Sequence, residues 1–329
     1  MKVAVILLLV FAILVVIAVI SVALMTRMPG RSHRGASPPL TPAQQALSLL
    51  LREHVEALAA GPRTIYGPEE LEAAAAYIEA RFAAAGLPTR RQSYVVDGMG
   101  CANIEATVTG TSKAAELVIV GAHYDSVDDG PGADDNASGV AALLELARRF
   151  ADRHPARTIR FVAFVNEEPP YFKSEAMGSW RYAEELRQQR ANVTAMLSLE
   201  AIGYYDERHG SQQYPPPLSA LYPSRGDFIA FVGNVRSMAL VRRCSATFRR
   251  HAAFRSEGAA LPELIAEAGW SDQWPFWRHG WKALMVSDTA LFRNPHYHRP
   301  SDLPDTLDYP RMARVVEGLE AVVADLSQR

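Results

Sequence analysis

Cysteine is nearly missing: Cys101 and Cys244 are the only two among 329 residues. Two thiols cannot build a disulfide framework or a cysteine-rich zinc site, so any metal here must sit on histidines and carboxylates. A surplus of one charge is missing too. With 34 Lys and Arg against 36 Asp and Glu, the net charge is -2. The broad basic field that DNA or RNA binding needs is absent, and a nucleic-acid partner is excluded on that ground. No internal repeat, heptad or low-complexity tract divides the chain, which favours one large domain over an array. At 49% hydrophobic and 21% charged residues, the remainder has the composition of an ordinary globular protein.

Charge disappears altogether between Val3 and Met25, where VAVILLLVFAILVVIAVISVALM carries a single hydroxyl, Ser21. That length matches the roughly 20 apolar residues of a spanning helix. It lacks the polar stripe of a soluble helix and exceeds the roughly 7 to 15 residues of a cleaved signal core. We therefore expect a retained single-pass anchor over residues 1–26, contacting the membrane directly. Lys2 flanks one side and Arg27, Arg31 and Arg34 the other, so charge alone does not orient it; the expectation is an extracytoplasmic (periplasmic or extracellular) domain. Residues 27–40, rich in Pro, Gly, Ser and Arg, read as a flexible linker, and the folded domain as residues 41–329.

Thr41-Pro42 is a cap and first-turn pair for a helix carrying Leu47, Leu50, Leu51, Val55 and Leu58. A second helix is expected from about Pro68 to Ala85. Apolar runs bounded by turn residues then alternate with helical patterns: LVIVGAH, a helix after Ala137, TIRFVAFVN, a helix after Ala176, AMLSLE, and later FIAFVGN and ALMVSD. Short, nearly continuous aliphatic strands separated by helices imply a sheet covered on both faces. RRQSYVV and CANIEATV, split by DGMG, read as an antiparallel hairpin. The fold class expected is α/β, a three-layer αβα sandwich with a mixed, largely parallel central sheet, preceded by the membrane helix. Pro215 to Pro217 fit a long surface loop.

In such sheets ligands bind beyond the carboxyl ends of the strands. Three expected strands deliver a chemical group there: His123-Tyr124-Asp125, Glu167-Glu168 and Glu200. Burying these without partners would cost several kcal/mol each, roughly, and a shared metal removes that cost. Taken alone His-x-Asp is a common surface pairing, but a metal-bound imidazole usually donates its other N–H to a carboxylate, and Asp125 is placed for that. Asp134, Asp135 and Asn136 lie in a Gly-rich turn before a helix; capping explains one acid but not two in succession. Adjacent Glu167 and Glu168 point in different directions, so one can ligate while the other moves protons. In FRNPHYHRPSD, His296 and His298 are both candidates, and the fragment alone does not choose.

Together, VGAHYDS, PGADDNASGVAALLELAR, FVNEEP with MGSWRYA, LSLEAIGYY and NPHYHRPSDLPDTLD resemble the di-zinc peptidases of the bacterial leucyl aminopeptidase and glutamate carboxypeptidase family, peptidase clan MH. The likeness runs in order from about Ala46 to the C-terminus. It implies two zinc ions per chain, with His123 and Glu200 on one, Glu168 and His298 on the other, and Asp135 bridging. It also implies Asp125 behind His123 and Glu167 as the general base for a water shared by the ions. His298 is preferred to His296 because the family ligand follows Tyr and precedes a Pro/Ser/Thr-Asp stretch. The implied activity is a metallo-exopeptidase acting on peptides, in the first instance an aminopeptidase. Carboxypeptidase action would need cations such as Arg255 or Arg293 at the substrate carboxylate; cyclisation of N-terminal Gln fits a single-zinc set less well than these acids; a metal-free membrane-tethered binding protein should have lost ligands. Two departures stand out: Glu200 where Asp is frequent, and Ser271-Asp272-Gln273 where relatives carry Ser-Asp-His. The PPYFKSEA segment reads as an extra loop over the pocket.

Overall fold

The computed structural model describes residues 2–216 and 218–328; Pro217, part of the expected proline loop, lies outside them. Helix α1 (Lys2–Thr26) is apolar on every side, and Val5–Thr26 is long and apolar enough to cross a bilayer. Its side chains from Val5 to Val22 are all exposed, as suits a segment whose solvent is lipid or an export signal. Helix α2 (Pro42–Leu58) opens on a capping box, Gln44 N donating to Thr41 Oγ1 and Thr41 N to Gln44 Oε1, and turns Leu47, Leu51, Val55 and Leu58 inward at helical spacing. Helix α3 (Pro68–Ala84) has proline in its first turn, where a missing N–H costs nothing.

Strands β1 (Thr89–Val96) and β2 (Met99–Val108) form the expected antiparallel hairpin. Its corner is Asp97-Gly98, with φ of 51° and 83°, the sign a two-residue Asp-Gly turn demands. The chain continues through β3 (Lys113–His123), α4 (Gly139–Phe150), β4 (Arg157–Phe164), α5 (Gly178–Gln188), β5 (Asn192–Glu200), β6 (Ile229–Asn234), α6 (Met238–His251), β7 (Ser256–Leu261), α7 (Gln273–Arg278), β8 (Ala283–Ser287), α8 (Ala290–Arg293) and α9 (Tyr309–Gln328). The sheet order is β1-β2-β4-β3-β5-β8-β6-β7. The four central strands β4, β3, β5 and β8 are parallel; β2 and β6 run antiparallel to their inner neighbours, and β7 is parallel to β6. Alternate residues of β3 feed opposite cores. Val118, Val120 and Ala122 pack with α2, α4 and α9, while Leu117 and Ile119 pack with Tyr182 of α5 and Phe276 of α7. Helices thus cover both faces, giving the three-layer αβα sandwich, and β3, β4 and β5 end at one edge.

Residues between α1 and α2 lie along β7 and α6. Met28 is buried, 8% exposed, and packs where Gly258 leaves room: a Cβ there would come 2.6 Å from Met28 Cγ. Arg249 Nη1 donates to Met28 O at 2.9 Å, Ser256 N donates to Ser32 Oγ at 2.9 Å, and Arg314 Nη2 donates to Pro38 O. The segment expected as a free linker therefore covers part of the sheet's β7 edge.

Candidate metal centre

The carboxyl ends of β3 and β5 and the turn after β4 converge. His123 Nε2 lies 3.3 Å from Asp135 Oδ1, 3.3 Å from Glu200 Oε2 and 3.9 Å from Glu167 Oε2. His298 Nε2 lies 3.1 Å from Asp135 Oδ2 and 3.3 Å from Glu168 Oε2. The five expected ligands therefore fall into two groups, His123-Asp135-Glu200 and Asp135-Glu168-His298, each with donor atoms within 4.8 Å of one another. Asp135 presents one oxygen to each group. His296 joins neither; its Nδ1 is 2.9 Å from Ser301 Oγ.

Local chemistry explains how these side chains arrive. The turn carrying Asp135 begins at Gly132, whose φ of 58° is left-handed and where a Cβ would meet Asp135 O at 2.2 Å, so only glycine fits. Asn136 stitches the turn to the end of β5, Nδ2 donating to Leu199 O while Oδ1 accepts from Ala201 N. Asp302 accepts from Asp134 N at 2.9 Å and Asp135 N at 3.1 Å, one oxygen each. Asp125 Oδ1 is 3.5 Å from His123 Nδ1, and the nearer acceptor for that ring nitrogen is Asp125 O at 3.2 Å. The other carboxylate oxygen accepts from Glu168 N at 3.0 Å, so Asp125 touches both groups. Ser271 Oγ donates to Glu200 Oε2 at 2.5 Å. Gln273 gives its Nε2 to Ala268 O at 3.0 Å.

These acids are buried together. Burial and the neighbouring Asp135 push Glu168 up to about 7, and burial lifts Glu167 well above the carboxylate range despite His123 nearby. Burial opposes ionisation of Asp135 as well, but His123 and His298 hold it far below its usual value. His123 Nε2, Asp135 Oδ1 and Glu168 Oε1 are buried without a hydrogen-bond partner. Orphaned lone pairs converging from imidazole and carboxylate are the donor set of divalent zinc, and a cation there would offset their desolvation. The residues present fit the metal.

Arg63 escapes sequence reasoning, since a lone arginine in GPRTIYG has no periodic or motif signal. It is 1% exposed, and its guanidinium donates to Tyr124 O at 2.6 Å, Leu58 O at 2.7 Å, Pro131 O at 2.5 Å and Gly132 O at 3.1 Å. It thus pins the loop between His123 and Asp125 to the turn leading into Asp135. Burial lowers its pKa to about 10, so it stays cationic at neutral pH. Beside the centre opens an apolar cavity of about 120 Å³ whose lining includes Glu200 and Tyr297 together with Leu218, Phe228, Leu261 and Met285. Trp270, also on its wall, meets Phe172 of the extra loop edge-on at 6.3 Å.

Similarity to known proteins follows the same residues. The chain is 40% identical over 267 residues to the uncharacterized protein YfbL of Escherichia coli (strain K12), covering 78% of this chain and 81% of that protein. It is 39% identical over 109 residues to a probable zinc metalloprotease of Pyricularia oryzae (strain 70-15), spanning 31% of this chain and only 21% of that protein's length. The fold matches the zinc aminopeptidase BSAP from Bacillus subtilis with a TM-score of 0.69 at 16% identity, covering 89% of this chain and 97% of that one. It also matches a glutaminyl cyclase from Fimbriiglobus ruber with a TM-score of 0.63 at 18% identity, covering 90% and 98%. The model of peptidase family M28 matches residues 103–323, a span holding every residue of both donor groups, and the chain belongs to that family.

Proposed function

We propose that this protein is a membrane-anchored aminopeptidase working with two zinc ions. The observation that carries the reading is the pair of donor groups sharing Asp135. One ion would be held by His123, Asp135 and Glu200, the other by Asp135, Glu168 and His298. When bound, such a pair activates a water and polarises the scissile carbonyl. Glu167 belongs to neither group, yet its carboxylate is 6% exposed and 3.9 Å from His123 Nε2. It is placed to take the proton of the attacking water and to return it to the leaving amine. Asp125 fixes the His123 tautomer through its main-chain oxygen and, through Glu168 N, the backbone of the second group. The apolar cavity against Glu200 suits the side chain of a large apolar residue next to the cleaved bond.

Carboxypeptidase action is less well supported. Arg255 is engaged by Asp227 at 3.0 Å and by Glu257 at 3.6 Å, and Arg293 spends Nε on Gln212 and Nη1 on Phe228 O. The glutaminyl cyclase likeness is one of fold, and the completeness of both donor groups favours hydrolysis over cyclisation. Peptides blocked at one end decide: N-acetylation should abolish cleavage and C-amidation should not, and the reverse pattern overturns the aminopeptidase reading. Metal analysis should give two ions per chain. We place α1 as a retained anchor, residues 41–329 as the catalytic domain, and that domain on the extracytoplasmic side. A mature chain beginning after about Ala23 in the soluble fraction would contradict the anchor, and full protection from protease in spheroplasts would contradict the sidedness.

A further inference from the structure

Where α1 joins the domain shows which end faces the bilayer. Arg242 Nη1 donates to Leu24 O at 3.0 Å and to Arg27 O at 2.7 Å. Further along α6, Arg249 Nη1 donates to Met28 O at 2.9 Å and Gly30 O at 3.2 Å. The chain leaving α1 therefore passes α6 in α6's own direction. The turn just before α6, Val235–Ser237, lies back toward the membrane helix. The same end of the sheet holds the last residues of β6 and β7 and the first of β8: Asn234 pairs with Leu261, Asn234 Nδ2 donates to Glu263 Oε1 at 2.9 Å, and Ala283 N donates to Ser237 Oγ at 3.2 Å.

That surface is unusual for one facing water. Leu264 is 94% exposed and Val235 42%. Around them stand exposed Arg236, Arg278 and Lys282, with Glu263, 3.7 Å from Arg278, as the neighbouring acid. Apolar side chains ringed by cations match the headgroup region of an anionic bilayer, which draws basic residues at about 1 kcal/mol each.

We propose that this end of the domain is a membrane seat. Leu264 and Val235 enter the interface of the bilayer that α1 crosses, and Arg236 and Lys282 lie against anionic phospholipid headgroups. The proposal rests on α1 being a retained anchor. It also orients the candidate metal centre. Ser287, which pairs with Glu200, is at the far end of β8 from Ala283, about 13 Å away at ~3.3 Å per residue. The centre thus opens away from the lipid, toward peptides in solution rather than substrates within the bilayer.

The full chain reconstituted in nanodiscs tests this. Both native cysteines are buried, so a fluorophore can be placed at Leu264→Cys or, as a control beside Asp302, at Leu303→Cys, which replaces a side chain 46% exposed. In discs containing phosphatidylglycerol and headgroup spin-labelled lipid, the dye at position 264 should be quenched and the dye at 303 should not. Arg236→Glu with Lys282→Glu should cut quenching at 264 by about half while leaving the melting temperature unchanged. Equal quenching at both positions, none at 264, or no response to the charge reversals overturns the seat. A chain that fails to co-elute with the discs overturns the anchor and the seat together, which separates that failure from a seat that is wrong on an anchored chain.

Discussion

Arg63→Met removes the buried guanidinium and keeps much of its volume. Three carbonyls, at Leu58, Tyr124 and Pro131, lose their donor, while that of Gly132 keeps Ala137 N. A stranded buried carbonyl costs about 1 to 3 kcal/mol; water and relaxation favour the low end, so the three together should cost about 3 kcal/mol. For a domain of this size that lowers the melting temperature by about 6 °C. A purely structural staple would show that loss and nothing more. Because the Tyr124 and Gly132 carbonyls belong to the segments that present His123 and Asp135, zinc affinity should fall as well, by about tenfold or more. Calorimetric melts of parent and variant with and without zinc read both effects, since stabilisation by a ligand shrinks by about 1.4 kcal/mol for each tenfold loss of affinity. Arg63→Lys should fall between, keeping the charge but not the planar fork. A variant within about 1 kcal/mol of the parent, with unchanged stabilisation by zinc, refutes the reasoning.

Glu167→Gln should keep metal content near normal while turnover drops by orders of magnitude, and Glu168→Gln should lose metal as well; metal analysis showing the opposite pattern reverses the two roles. Away from the site, burial opposes ionisation of Glu145, but hydrogen bonds from His54 and Arg148 hold it to about 2, below its usual 4.5. A carboxylate depressed in the folded state stabilises above its unfolded pKa and loses that contribution as pH falls. Glu145→Gln should therefore be about 2 kcal/mol less stable than the parent at pH 7, and urea titrations should show the gap closing from about pH 5 down toward pH 2; a gap independent of pH would contradict this. A chain starting at Gly35 loses the Met28 and Ser32 contacts on β7 and should be less stable than one starting at Arg27 by about 2 kcal/mol, while still folding and binding zinc. Identical denaturation midpoints would show that the covering segment is idle.

Most strands and the donor residues are readable because each is a local pattern: aliphatics running into His123 or Glu200, and Asp97-Gly98 between two alternating runs. β7 is not, since Ser-Glu-Gly-Ala-Ala-Leu contains no β-branched residue; it is a strand because β6 offers a parallel partner and Met28 packs against Gly258. Composition likewise describes residues 27–40 as a linker, because proline and glycine report local stiffness and cannot report that Arg249 and Ser256 hold the segment from more than 200 positions away. The parts that position the site are hidden for the same reason. Asp302 clamps a main chain 167 and 168 residues earlier, and Arg63 acts only on carbonyls, which carry no side-chain signature.

Asp135 gives one oxygen to each donor group, and Asp125 joins the His123 of one to the main chain of Glu168 in the other. In the proposed centre neither ion is then an independent guest. The first to arrive would take one oxygen of the shared carboxylate and cancel part of the negative charge around it, so the second would bind more weakly than the first, and the dependence is mutual. Zinc titration should accordingly proceed in two steps, with half-filled molecules dominating between them. As free zinc falls, each molecule would give up one ion before the other, so activity would fade while metal is still bound.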